Sequence, residues 1–175
     1  MTVEQFERLP EQAGVRYELD HGELIEVSGP NYQHNRVRDK VITALNNFID
    51  AARIGEAVAE QEFRIAPETV RRPDVAFLHS EVAARIDKSK SILDCVPDLV
   101  IEIVSPNDTA EQLMHRVNQF LAAGCQCVWT VYPAERKVHA YGPNDDVRIF
   151  NESKTLEAPA ALPGFGLPVS RIFEE

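Results

Sequence analysis

Apolar residues recur at helical spacing in two long stretches of the chain and in strand-like runs elsewhere. Over residues 31–53, Val37, Val41, Ile42, Leu45, Phe48 and Ile49 fall on one face, which predicts a long amphipathic helix closed by Gly55. A second helix is expected from a cap at Asp108 to Ala123. Leu113, Val117, Phe120 and Leu121 form its buried face, and Gly124 lies just past its end. A short first helix opens at Thr2, where Gln5 stands in capping-box position, and carries Val3, Phe6 and Leu9 before Pro10 ends it.

The remaining apolar runs have strand character. Arg16-Tyr-Glu-Leu-Asp20 and Glu23-Leu-Ile-Glu-Val-Ser28 flank His21-Gly22 and read as a β-hairpin, broken off by Gly29-Pro30. Residues 56–66 read as one strand ending at Pro67, Asp74-Val-Ala-Phe-Leu78 as another, and residues 79–96 as loop with some helix. Asp98-Leu-Val-Ile-Glu-Ile-Val104 is the clearest strand, stopped by Ser105-Pro106-Asn107. Cys127-Val-Trp-Thr-Val-Tyr132 is next, followed by a turn at 133–136, strands at 137–141 and 147–150, and an extended tail, Leu162-Pro-Gly-Phe-Gly-Leu-Pro168. This order predicts a mixed α+β fold: a central mixed β-sheet flanked by helices, with an N-terminal helix and hairpin. Residues 98–132 form a strand, helix, strand unit that would join two parallel strands.

Bulk properties narrow the class. At 175 residues, 44% hydrophobic and 26% charged, the chain suits a single domain over 1–175 with a proper core. The net charge of −10 argues against a broad non-specific grip on nucleic acid, which needs clustered Lys and Arg. It leaves open an enzyme whose bound cation neutralises local carboxylates. No apolar stretch approaches the roughly 20 residues needed to span a bilayer, so no membrane partner is expected. Met1-Thr-Val-Glu-Gln-Phe-Glu-Arg-Leu-Pro10 lacks a basic region followed by an apolar run. Cys95, Cys125 and Cys127 are an odd number without a second ligand pair at zinc spacing, so they are expected to be reduced, packed thiols. A cytoplasmic location follows as an expectation.

One residue breaks the pattern. Glu102 sits inside a run that otherwise reads as buried on both faces, on the side of Val100 and Val104. A buried carboxylate is costly unless compensated. Three explanations compete: a salt bridge to an Arg, a protonated core Glu, and a metal ligand. Asp74 changes the weighting. It opens a neighbouring strand after Arg71-Arg72-Pro73, and two carboxylates on adjoining strands can converge on one hard divalent cation.

Six stretches carry a resemblance: Tyr17-Glu-Leu-Asp-His-Gly-Glu-Leu24, Arg72-Pro-Asp-Val75, Pro97-Asp-Leu-Val-Ile-Glu-Ile-Val-Ser-Pro106, Phe120-Leu-Ala-Ala-Gly124, Val128-Trp-Thr-Val131 and Leu162-Pro-Gly-Phe165. Together they resemble the bacterial Uma-type family, long catalogued as a domain of unknown function, over almost the whole chain. The resemblance implies the restriction-endonuclease fold of the PD-(D/E)XK superfamily. It implies a site that binds Mg²⁺ or Mn²⁺ and cuts phosphodiesters of DNA. Asp74 would match the superfamily Asp and Glu102 the D/E position, with Glu18 as an additional acidic member. As charges of a hairpin, Glu18 and Glu23 read equally well as solvated. A homodimer would match the symmetry of duplex DNA.

The sequence departs from that pattern at the lysine. Two residues after Glu102 stands Val104, and on the following helix the matching place holds Arg116. Arg stays protonated, so it can hold a phosphate but cannot serve as a base. The resemblance therefore implies a metal-dependent endonuclease with Asp74, Glu102, Arg116 and Glu18 as its site. The alternative is a catalytically inactive member of the same fold acting as a binding or assembly module. Among other polar residues, His34 at its helix start could face the cleft, though a surface position is the simpler reading, and His115 reads as lying about 100° around the helix from Arg116. Ser105 reads as a turn or cap group, Trp129 as core, and Arg71 and Arg72 as phosphate contacts or surface charges offsetting the acidic chain.

Overall fold

A computed structural model describes residues 1–10, 15–27 and 29–174. In chain order the elements are α1 (Val3–Phe6), β1 (Arg16–Asp20), β2 (Glu23–Val27), α2 (Tyr32–Ala52), β3 (Gly55–Ala59), β4 (Glu62–Ala66), β5 (Thr69–Arg71), β6 (Val75–His79), α3 (Ser80–Ala83) and β7 (Ile92–Leu93). There follow β8 (Leu99–Ile103), α4 (Ala110–Ala123), β9 (Cys127–Tyr132), β10 (Lys137–Tyr141), β11 (Val147–Asn151), β12 (Thr155–Ala158), β13 (Leu162–Pro168) and α5 (Val169–Phe173). Among these residues no helix is long and apolar enough to cross a membrane. Ser28, which the pattern includes in the hairpin, lies outside the described residues.

The central sheet has six strands in the order β11-β10-β9-β8-β6-β3. It is mixed: β8 and β9 run parallel, joined by α4, and the other neighbours are antiparallel. Period-2 alternation gives its two faces different partners. Leu99, Ile101 and Ile103 of β8, with Trp129 and Val131 of β9, pack against Val37, Val41, Leu45 and Ile49 of α2 and against α5. Val100 and Val128 face the other way and meet Val117 and Phe120 of α4. Every residue of β8 is buried, as a strand flanked on both sides by helices must be. A second sheet, β2-β1-β5-β4-β7, stands beside the first and supplies Phe63 and Ile65 to the α4-side core.

Several boundaries differ from the sequence expectation, each for a local reason. Thr109, not Asp108, caps α4: its side chain accepts from the Gln112 N–H, and Gln112 returns a bond to the Thr109 N–H. Asp108 is engaged elsewhere, accepting from Ser105 N–H at 2.8 Å and Ser105 Oγ at 3.0 Å. The run 56–66 is two strands, because Glu60 takes a left-handed turn conformation (φ 53°) between β3 and β4. The tail at 162–168 pairs with β12, which the pattern did not show, and runs on into α5. The three cysteines are unpaired thiols, Cys125 and Cys127 buried and Cys95 partly so.

Gly55 does not close α2. Arg53 does, in the left-handed conformation (φ 54°), with its N–H bonded to Ile49 O. Gly55 instead begins β3 against β6, where a Cβ would lie 2.1 Å from the Leu78 carbonyl oxygen and 2.8 Å from the Phe77 ring. The first clash is with backbone and cannot be relieved by a rotamer change. Gly55→Ala is therefore expected to destabilise the protein by about 3 kcal/mol, at the upper end of overpacking costs. Urea unfolding checks this: an unchanged midpoint would show that β3 and β6 can separate without loss.

Candidate metal and phosphodiester site

The site is assembled from β8, the entrance of β6, the β1–β2 hairpin, and one face each of α2 and α4. Because β6 and β8 are antiparallel with Val75 opposite Ile101, one further step puts Asp74 across from Glu102. Asp74 Oδ2 accepts the Ile103 N–H at 2.6 Å, which ties the start of β6 to the residue following Glu102. Both carboxylates line one cavity, with Glu18, Asp20, His34, Arg71, Arg72, Asp108, His115 and Arg116 among its walls.

Glu102 is 6% exposed and points to the α4 side, as the alternation predicts. Its Oε2 lies 3.8 Å from Arg116, and its Oε1 is buried with no hydrogen-bond partner. Burial pushes its carboxyl up to about 8, with Asp74, Glu18 and Asp108 adding to the rise and Arg116 opposing it. Arg116 thus reaches the site, from α4. Its closer contact is Asp108, at 3.3 Å. Burial works against the guanidinium, but Glu102 and Asp108 more than offset that and hold its proton.

Glu18 is not a solvated hairpin charge. It is 5% exposed, and its oxygens accept from Arg71 Nη1 and the Arg72 N–H, both at 2.8 Å. Glu23 is exposed, as a hairpin charge would be. Arg71 is buried rather than free for a phosphate. It bridges Glu18 to Asp20, at 2.8 Å, and to Gln119 of α4. Arg72 lies 3.3 Å from Glu62. Burial alone would raise the Asp20 carboxyl, but Gln119, Arg71 and His115 outweigh it and hold Asp20 below the ordinary carboxylate range.

Two histidines enter the site: His34, on the cleft-facing alternative rather than the surface one, and His115. His34 is 7% exposed, with Nε2 3.1 Å from Asp74 Oδ1. The signal was present: His34 lies three residues before Val37 and so continues the buried stripe of α2. His115 Nε2 lies 2.9 Å from Asp20 Oδ2 at the cavity wall. Trp129 is fully buried, and Ser105 caps its own turn with Asp108, as expected.

Among the described residues no group of three or more His, Cys, Asp and Glu side chains is arranged to hold a metal. A hard divalent cation does not require one. Mg²⁺ commonly takes one or two carboxylates and fills its remaining positions with water and substrate oxygens. The unpartnered buried Glu102 oxygen, facing a cavity shared with Asp74, fits that demand.

A mixed sheet clasped between helices, with acidic residues at adjoining strand positions over a cleft, defines a restriction-endonuclease-like protein. The chain belongs to the Uma2 family, described as "Putative restriction endonuclease", which matches residues 3–170. Its fold is similar to a crystal structure described as "a putative nuclease belonging to DUF820" from Anabaena variabilis ATCC 29413. The TM-score is 0.86 at 22% identity, over 99% of this chain and 97% of that one. No curated protein matches the chain.

The raised Glu102 carboxyl has a consequence for stability. Once the pH passes the ordinary range for a Glu, near 4.5, the unfolded chain releases this proton while the folded protein keeps it. Glu102 therefore contributes stability that is fully present below that range and is lost as pH rises through about 8. The wild type should lose stability relative to Glu102→Gln between pH 5 and pH 8.5. Parallel stability–pH curves for the two proteins would mean that Glu102 ionises normally.

Proposed function

We propose that this protein is a metal-dependent endonuclease that hydrolyses phosphodiester bonds of DNA, with Asp74 and Glu102 holding Mg²⁺ or Mn²⁺. The observation that carries the reading is the Glu102 carboxylate: buried, with one oxygen unpartnered, and sharing its cavity with Asp74 from the adjoining strand. An ionised carboxylate with so little compensation, one long ion pair and one bare oxygen, is costly in that setting, and a cation is the compensation that also does chemistry. When bound, such a metal stabilises charge on the phosphoryl oxygens and makes water a better nucleophile.

The chain's own residues supply the remainder. Asp74, restrained by the Ile103 N–H and His34, would be the second carboxylate to hold the cation. Glu102 would hold the cation as the carboxylate, the form a hard cation requires, so its raised carboxyl ties metal binding to loss of a proton. Arg116, steadied by Asp108, provides a permanent positive charge for the developing negative charge at phosphorus. It cannot take a proton from water, so its role is confined to charge and positioning. Glu18 assists indirectly, by fixing Arg71 and the Arg72 N–H and with them the turn that delivers Asp74. The Uma2 description and the nuclease-like neighbour support this assignment.

The 3.8 Å Arg116–Glu102 ion pair favours a second reading. In it the guanidinium takes the cation's place, and the fold serves as a binding or assembly module. Incubation of supercoiled and single-stranded DNA with Mg²⁺ or Mn²⁺ separates the two. Cleavage is expected, falling at least about 100-fold in Asp74→Asn and in Glu102→Gln, the scale on which single electrostatic groups act. Intact DNA under all these conditions would leave the second reading standing.

A further inference from the structure

His34 is one of the most deeply buried polar side chains of the site, and neither the family description nor the acidic pair accounts for it. It sits in the first turn of α2, whose N-cap Asn31 accepts the His34 N–H at 2.9 Å through Oδ1. The 21-residue helix is anchored by Val37, Val41, Leu45 and Ile49 in the core, so the imidazole has little freedom to leave. Its Nε2 reaches Asp74 Oδ1, and its Nδ1 is buried with no partner.

The contact fixes the tautomer. Asp74 already accepts the Ile103 N–H on Oδ2, so it presents acceptors to its surroundings. With the proton on Nε2, the ring donates to Oδ1, and only an acceptor, Nδ1, is left unsatisfied. With the proton on Nδ1 alone, two acceptors would face one another and a buried donor would be orphaned, which is the worse arrangement. Asp74 therefore receives two donors, one per oxygen, from two elements: the backbone of β8 and the side chain of α2. Two donors fix the carboxylate plane about its Cβ–Cγ bond, and each oxygen keeps one lone pair for a cation.

We infer that His34 is the positioning residue of the metal site, orienting the Asp74 carboxylate through an Nε2–H donor so that Asp74 and Glu102 address the same cation. The inference rests on the metal-binding reading above. It assigns His34 no contact with metal or substrate. Groups of this kind, which orient a ligand without being one, typically change metal affinity by 10–100-fold.

Mn²⁺ affinity, measured by calorimetry on the full chain with no nucleic acid present, tests it. His34→Leu, which fills the space without a donor, is expected to weaken Mn²⁺ binding by about 10–100-fold while thermal unfolding shows a folded protein. His34→Gln, whose side-chain amide can donate to the same oxygen, is expected to recover most of that loss. Should the Leu variant fail to fold, His34→Ala titrated with free imidazole takes its place, with affinity expected to rise as imidazole is added. Unchanged affinity in folded His34→Leu overturns the inference, as does a Gln variant or imidazole-treated Ala variant as weak as the variant lacking a donor. Asp74→Asn separates the two levels of the argument. If it abolishes Mn²⁺ binding while His34→Leu does not weaken it, only the role of His34 is lost. If the wild type itself binds no Mn²⁺, the metal reading and this inference fall together.

Discussion

The placement of one carboxylate inside β8 governs the arrangement around it. Glu102 stands in a strand buried on both faces, where an ionised side chain loses most of its hydration. The usual remedy, a close ion pair, is only half supplied: Arg116 stands 3.8 Å from one oxygen and is closer to Asp108. The second oxygen has no partner at all. Burial holds the proton on, and charge of the same sign gathered near it, in Asp74, Glu18 and Asp108, adds to that effect. A site optimised for stability alone would replace Glu102 with an apolar residue of similar volume, since buried ion pairs are often neutral or worse than that exchange. The combination makes sense if a divalent cation is the missing partner.

The supporting structure has one purpose in common, to fix the approach of β6 to β8. Arg71 is buried between Glu18, Asp20 and Gln119, and thereby ties the hairpin, β5 and α4 together. Glu18 also receives the Arg72 N–H, two residues before Asp74. From the other side Asp74 is held by the Ile103 N–H and by His34. Five elements thus converge on the position of one carboxylate. Such over-determination is what pre-organised electrostatic sites require, because a ligand misplaced by an ångström loses most of its effect.

Glu102 stands out in the sequence because an acid inside an apolar strand violates the pattern around it, and Asp74, which precedes β6, falls across from it in the sheet. The central mixed sheet and both long helices were legible for the complementary reason, strong and consistent periodicity. What could not be read depends on contacts distant in sequence. Arg71 and Glu18 are separated by 53 positions, and His115 and Asp20 by 95, so nothing local distinguishes them from solvated charges. For His34 the sequence leaves two readings, cleft and surface, and its register with Val37 favours the buried one that the structure shows. Short strands such as β5, β7 and β12 carry too few residues to show alternation, and Gly55 looks like a helix cap in sequence because the close backbone approach that excludes a side chain there comes from a distant strand.

Everything proposed for this site depends on whether Glu102 and Asp74 share a cation. Crystals of the protein grown with Mn²⁺ and measured at an absorption edge of that metal test this without any assumption about substrate. The predicted result is an anomalous peak about 2.0–2.6 Å from a carboxylate oxygen of each residue, spanning hard-cation coordination distances, with Arg116 displaced toward Asp108. Density for the Arg116 guanidinium drawn fully onto Glu102, with no peak between the carboxylates at saturating Mn²⁺, would contradict it.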